Sequence, residues 1–199
     1  MFEKACHYLR LKGIYLSESD RQVIRLHTGW RCFPRHTLLM EQGVPVRHLY
    51  FLNSGIVRLF KIHNGEDYTL GIVSTNDFIS TSLYLGNGKP SSCALETLTD
   101  VEVLQWDKED VDSIRQQVPK CREMEMATMD RLLTWLQEMQ VDSICLTAEE
   151  RYCKLVKEQP ELIQKIPLKY IASFLAIHQD SLSRIRKTAM QKTLVPVKC

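Results

Sequence analysis

Gln179, Asp180, Ser183 and Arg184 are spaced so that a single helix would carry all four on one face. Arg184 can donate a bidentate pair of hydrogen bonds to guanine O6 and N7, and Asp180 can accept from cytosine N4. Lys169, Ser181, Arg186, Lys187 and Lys192 are suited to phosphate oxygens, which set register and salt dependence. The surrounding segment, Ile166 to Arg186, reads I-P-L-K-Y-I-A-S-F-L-A-I-H-Q-D-S-L-S-R-I-R. Its first helical pattern, Leu168 to Leu175, places Ile171, Ala172 and Leu175 on one face. The second begins near His178, with Leu182 and Ile185 at helical spacing. Ala172 is small enough for the two helices to cross closely, and Ile177 plugs the gap between them. The pattern predicts a helix-turn-helix whose second helix enters the major groove of DNA. An ordinary pair of surface helices with a polar face is the alternative, and the length of the matched order argues against it.

Charge segregates along the chain. Residues 150–199 hold ten Lys/Arg against four Asp/Glu, a balance of +6, while residues 1–149 hold sixteen against twenty, a balance of −4. A net charge of +2 thus hides a basic C-terminal region on an acidic body, which points to nucleic acid at one end only.

The elements that must position this face can be read upstream. Residues 2–12 and 18–27 read as short helices, the second capped by Ser17 with acids in its first turn. After Gly29 the period shortens. Segments 31–33, 37–41, 48–52, 56–62, 67–73, 92–98 and 101–106 are short, rich in β-branched and aromatic residues, and separated by Gly- and Asn-containing turns. They predict an antiparallel sandwich or barrel, with Asn64-Gly65 as a two-residue hairpin turn. A helix is expected from Lys108 to about Val118, and a longer one from Pro119 to about Ile144. The long helix carries more apolar residues than one face needs. Met129, Leu132, Leu133, Leu136 and Met139 are therefore expected to pair with a second copy of the chain; a single wide stripe packed within a monomer is the alternative. Thr147 is the expected cap of a further helix ending at Pro160.

In total the chain resembles the Crp/Fnr family of bacterial transcription regulators, through E-Q-G at 41–43, L-N-S-G at 52–55, N-D-F-I at 76–79, the long helix and the helix-turn-helix. The I-P-x-x-Y-I-A-S-x-L-x-I…S-L-S-R-I-R variant is similar to members from Bacteroidetes-type bacteria. The resemblance implies an α+β chain in three parts. Residues 1–118 would form a double-stranded β-helix, or jelly roll, of the cyclic-nucleotide-binding kind, 119–146 a dimerisation helix, and 147–199 a DNA-binding domain. It also implies that Gln179, Asp180 and Arg184 read bases, with Ser183 as a fourth reader.

Nucleotide-binding members carry F-[IL]-G-E followed by R-S-A, whose Glu holds the ribose and whose Arg neutralises the cyclic phosphate. Here the corresponding segments are Phe78-Ile79-Ser80-Thr81 and Ser91-Ser92-Cys93. Thr81 replaces the Glu and Ser91 the Arg, while Leu136 and Gln137 align with two base-contacting hydroxyl residues. Burying a phosphate without a cation is costly, so cyclic AMP is not expected as effector, and no cofactor is expected. Arg58, Lys61, His48, His63 and Lys89 are candidate anion partners, each reading more simply as a solvated strand or turn residue. Two departures bear on the DNA end. Ala176 occupies the usual turn-glycine position, at a cost of about 1 kcal/mol. Residues 193–197 offer at most a stub of a β-wing.

The seven cysteines are scattered, with no C-x-x-C pair, so neither a disulfide framework nor a metal site is expected. Cys93 and Cys121 are candidate redox sensors, with buried structural thiols as the simpler reading. No P-loop, G-x-S-x-G or metalloenzyme motif occurs, so an enzyme is not expected. No apolar run approaches the roughly 20 residues that span a bilayer, and the N-terminus lacks an apolar signal core; a cytoplasmic location is expected. The expected partners are double-stranded DNA, a second copy of the chain and RNA polymerase. The competing function is a small-molecule-binding or protein-interaction module whose DNA-binding domain is vestigial.

Overall fold

The computed structural model describes residues 2–79, 85 and 88–194, with side chains through Thr188. Two helices, α1 (Phe2–Leu11) and α2 (Glu18–Leu26), precede the strands. The strands are β1 (Gly29–Phe33), β2 (Leu38–Met40), β3 (His48–Ser54), β4 (Val57–His63), β5 (Glu66–Val73), β6 (Asp77–Phe78), β7 (Ala94–Thr97) and β8 (Val101–Asp107). Helices follow: α3 (Lys108–Gln117), α4 (Cys121–Cys145), α5 (Ala148–Glu158), α6 (Pro160–Lys165), α7 (Leu168–Phe174) and α8 (Gln179–Leu194). The strands pair antiparallel in two four-stranded sheets, ordered β1-β8-β3-β6 and β2-β7-β4-β5.

Period-2 alternation explains why both faces of the first sheet are covered. Tyr50, Leu52, Val101 and Val103 point to the second sheet and meet Val57, Cys93 and Leu95 there. Phe51, Leu104 and Trp106 point the other way and are covered by Leu9, Ile24, Val111 and Ile114 of α1, α2 and α3. Burying each such large apolar side chain contributes roughly 1.5–3 kcal/mol. The β4–β5 hairpin turns on Asn64 and Gly65, both at positive φ (52° and 82°), as a type I′ turn requires. Gly55 is fixed by space as well as by its φ of 97°, because a Cβ there would collide with the Asp100 carbonyl and the Val101 side chain.

Helix α4 is 25 residues long, about 37 Å at 1.5 Å per residue. It begins at Cys121 rather than at Pro119, which lies in the preceding turn. The capping boxes of α2 (Ser17/Asp20) and α5 (Thr147/Glu150) form as their residues predict. Pro160 does not end the helical region. It sits in the first turn of the short helix α6, where its missing N–H costs nothing. The last four helices do not bury their core alone. Tyr152, Leu162, Ile171, Leu175 and Leu182 pack together with Ile56, Ile72 and Leu98 of the strand region.

Candidate functional site

Helix α7 ends in a turn that dictates how α8 projects. The Ile177 amide donates to the Ala172 carbonyl and the Ala176 amide to the Ser173 carbonyl, both at 3.0 Å. This is a Schellman pair, and it needs a left-handed residue at Ala176, whose φ is 54°. The turn that the sequence places at Ala176 is therefore made, at the strain expected for a residue with a Cβ. Leu182 is fully buried beneath α8. Gln179, Asp180, Ser181, Arg184 and Lys187 are exposed, and Ser183 is half-buried, with its hydroxyl donating to the Gln179 carbonyl at 3.0 Å. Arg186 lies toward the packed side, and its Nε is buried without a hydrogen-bond partner. Lys169 is exposed on α7, with its Nζ 4.8 Å from the Tyr170 ring centre. The Lys192 side chain lies outside the described residues. Thr193 and Leu194 belong to α8 rather than to a wing stub, and residues 195–197 are outside the described set.

This helix pair is tied to the rest of the chain at two places. Arg151 of α5 donates to the Leu146 carbonyl (2.7 Å) at the end of α4 and to the Leu175 carbonyl (3.0 Å) at the turn. On the other side, the Ser173 hydroxyl accepts from the Thr69 amide (2.8 Å) and donates to the Asp67 carbonyl (3.3 Å) of β5. Tyr170 lies over the Arg58 guanidinium at 4.2 Å, with Phe60 on its other contact at 4.0 Å. Arg58 is 3% exposed. Its Nε donates to Glu96 (2.7 Å), and its Nη1 and Nη2 donate to Asp67 (2.6 and 2.8 Å). Burial by itself would lower its pKa, but these carboxylate hydrogen bonds outweigh burial and raise it, so the cation is retained. The expectation of a solvated strand residue at Arg58 is thus corrected. The C-terminal helices that cover β4 and β5 could not be placed from strand periodicity.

A cavity of about 350 Å³ opens between the strands and α4. Met40, Leu59, Ile72, Val73, Ile79 and Leu95 wall it from the sheets, and Thr128, Arg131, Leu132 and Trp135 close it from α4. Gln159, from the junction of α5 and α6, reaches its rim. Trp135 lies flush on Gly71, where a Cβ would come within 2.7 Å of the indole. Arg131 pairs with Asp77 at 2.7 Å. Burial pushes the Asp77 carboxyl above its ordinary value, against the pull of Arg131. Burial, with the nearby Asp77 charge, pushes the Tyr8 phenol up to about 12.

The pocket residues expected from sequence are only partly brought together. Ser80 and Thr81 lie outside the described residues. Ser91 is buried but turned into its own loop, where its hydroxyl donates to the Cys93 carbonyl (2.7 Å) and accepts from the Cys93 amide (3.3 Å). Ser92 is exposed. Leu136 and Gln137 are exposed and do not line the cavity; among the described residues the helix contributes Thr128, Arg131, Leu132 and Trp135 instead. Leu132, expected to pair with a second copy of the chain, lines the cavity. Met129, Leu133 and Leu136 are exposed, together with Met126, and Met139 is half-buried. Cys121 is buried, and its thiol is pushed up to about 11 by that burial, which disfavours the reactive thiolate a redox sensor needs and fits the buried structural reading. Cys93 is buried on the cavity wall.

Residues 30–118 match the cyclic nucleotide-binding domain family. No curated protein matches the chain by sequence. Solved structures do match it in fold. FixK2 from Bradyrhizobium japonicum superposes with a TM-score of 0.73 at 14% identity, covering 86% of this chain and 89% of that one. The c-di-GMP-responsive global regulator CLP from Xanthomonas campestris superposes with a TM-score of 0.69 at 17% identity, covering 92% and 96%. A chain assigned to the Crp/Fnr transcriptional regulators, from Eubacterium rectale, gives 0.72 at 15% identity, covering 96% and 91%. At these identities the likeness is one of fold, and it spans the strands, α4 and the C-terminal helices together. No helix among the described residues is long and apolar enough to cross a membrane.

Proposed function

We propose that the chain is a homodimeric, DNA-binding transcription regulator of the Crp/Fnr type whose strand domain does not respond to cyclic AMP. The observation that carries this reading is the face of α8. Gln179, Asp180, Arg184 and Lys187 are exposed on one side of a helix whose opposite side is anchored by fully buried Leu182. None of the four has a packing role, and their chemistry is that of base-edge and phosphate contact.

Dimerisation is supported by α4. Met126, Met129, Leu133 and Leu136 are exposed at alternating three- and four-residue spacing, the pattern of a coiled-coil seam. A second copy would bring two α8 helices to adjacent half-sites, with RNA polymerase as the further partner. Against cyclic AMP stands the want of a free cation for its phosphate among the described residues that line the cavity: Ser91 is committed to its own loop, and Arg131 to Asp77.

The test is selection from random double-stranded DNA followed by anisotropy with salt titration, with and without cyclic AMP. A two-fold symmetric site, a steep salt slope and no nucleotide effect are expected. Arg184→Ala should cost roughly 1–3 kcal/mol and relax specificity at one position. Sequence-independent binding alone would favour the vestigial-reader module, and low-micromolar cyclic AMP binding would overturn the pocket reading.

A further inference from the structure

We infer that the cavity between the strands and α4 is a receptor site for an uncharged, largely apolar small molecule of aromatic size. The inference rests on the reading of the strand region as a sensor, and it specifies what that sensor takes. Three observations carry it. The cavity's volume, about 350 Å³, is at the low end for small-molecule sites. Its body is walled by aliphatic side chains from both sheets and by the Trp135 indole, which Gly71 allows to lie flush on β5.

The third observation concerns charge. Among the described lining residues, Asp77 and Arg131 are the only two that carry charge, and they are paired with each other at 2.7 Å. Tyr8, on the same wall, is a neutral phenol, and burial pushes its pKa further up, to about 12. An anion entering here would meet Asp77 with Arg131 already taken, and a cation would meet the reverse. Either would lose its hydration without gaining a counter-charge. A neutral molecule incurs no such cost and gains the apolar wall.

The cavity also sits where occupancy would be felt elsewhere. Ile72 lines it and belongs to the core shared with the C-terminal helices, and Gln159 of that region touches its rim.

The experiment uses the full chain and three naphthalenes of one shape: 2-naphthol, 2-naphthoate and 2-naphthylmethylammonium. Binding is read by quenching of tryptophan fluorescence and by calorimetry. One equivalent of 2-naphthol is expected to bind at least about tenfold more tightly than either charged form, since an unpaired charge in such a site costs more than 1.4 kcal/mol. The quench should disappear in Trp135→Phe, whose smaller ring weakens calorimetric binding without abolishing it, which places the probe at α4. Leu132→Trp, filling the cavity from the helix side, should abolish binding.

Asp77→Asn leaves Arg131 without its partner and should raise the affinity ratio of naphthoate to naphthol at least about tenfold. Equal binding of the three probes, tighter binding of a charged one, or a ratio unmoved by Asp77→Asn would overturn the inference. Binding is read without DNA, so the two readings can fail separately. A chain that selects a DNA site but prefers naphthoate fails only this inference. A chain that binds naphthol in the cavity but selects no DNA site fails only the regulator reading.

Discussion

Arg58 is where the strand region and the C-terminal helices hold each other, and its removal can be worked out from its surroundings. In Arg58→Met the Glu96 carboxylate, 12% exposed, loses its cation. Breaking a buried pair typically costs about 3–5 kcal/mol. His36 Nδ1 remains 2.9 Å from Glu96, which sets the expectation at the low end of that range. Asp67 is 42% exposed and regains water, so its share is about 0–1 kcal/mol. The part that crosses to the C-terminal helices is the stack on Tyr170, 4.2 Å from guanidinium to ring centre, worth about 1–2 kcal/mol when desolvated. A double-mutant cycle of Arg58→Met with Tyr170→Leu isolates that part. Urea unfolding should be followed by circular dichroism and tryptophan fluorescence together, at fixed protein concentration, so that departures from two-state behaviour are visible. The expected coupling is about 1 kcal/mol, within a total loss of about 4 kcal/mol for Arg58→Met. A coupling indistinguishable from zero would show that Arg58 braces only its own hairpin. Docking of the C-terminal helices would then rest on apolar packing and the Thr69–Ser173 hydrogen bond.

Ala176→Gly should stabilise the protein by about 0.5–1 kcal/mol, because relief of left-handed strain exceeds the added freedom of the unfolded chain; a lower melting temperature by calorimetry would refute this. Burial pushes the Asp77 carboxyl above its ordinary value of 3.8, so folding costs more for its charged form than for its neutral one. The advantage of the neutral form is full below that value and is lost as pH rises through the folded pKa. Relative to wild type, Asp77→Asn should therefore gain stability, read as melting temperature, as pH rises from acid toward neutral; a relative stability that falls over that range would contradict the assignment. Brief alkylation of the native protein, mapped by mass spectrometry, should label exposed Cys32, Cys145 and Cys153 and spare buried Cys6, Cys93 and Cys121. Early labelling of Cys121 would contradict the raised pKa of its thiol.

The strands were legible because their period and their turns agree. Asn64-Gly65 announced a hairpin, and Ser17, Thr147 and Ala176 announced helix ends that form as expected. What escaped had no local signal. Strand β6 is two residues long, too short to show a period. Helix α6 was hidden because Pro160 reads equally as a stop and as a first-turn residue. Which apolar residues of α4 wall the cavity was not legible because Leu132, Leu133, Trp135 and Leu136 put apolar groups on several sides of the helix, so composition could not say which face the strands would take. Arg58 escaped for a different reason. A charged residue on an outward strand position reads as solvated until something from far along the chain covers it.

That cover makes β5 the part of the fold through which the cavity and α8 can communicate. Along eight residues it presents Asp67 to Arg58, the Thr69 amide to Ser173, Gly71 to Trp135, and Ile72 both to the cavity and to the C-terminal core. Strands are stiff along their length, and packed interfaces shift between discrete arrangements rather than bending continuously. A molecule that displaces Trp135 from Gly71 would therefore strain the same strand that holds α7 two residues away. The other end of the helix pair is held by Arg151, which joins the Leu146 carbonyl at the end of α4 to the Leu175 carbonyl at the turn before α8. Cavity, α4 and α8 thus share two short sets of contacts, one polar pair on β5 and one arginine on α5. A ligand with differential affinity for two arrangements of those contacts could shift the orientation of α8 without touching it.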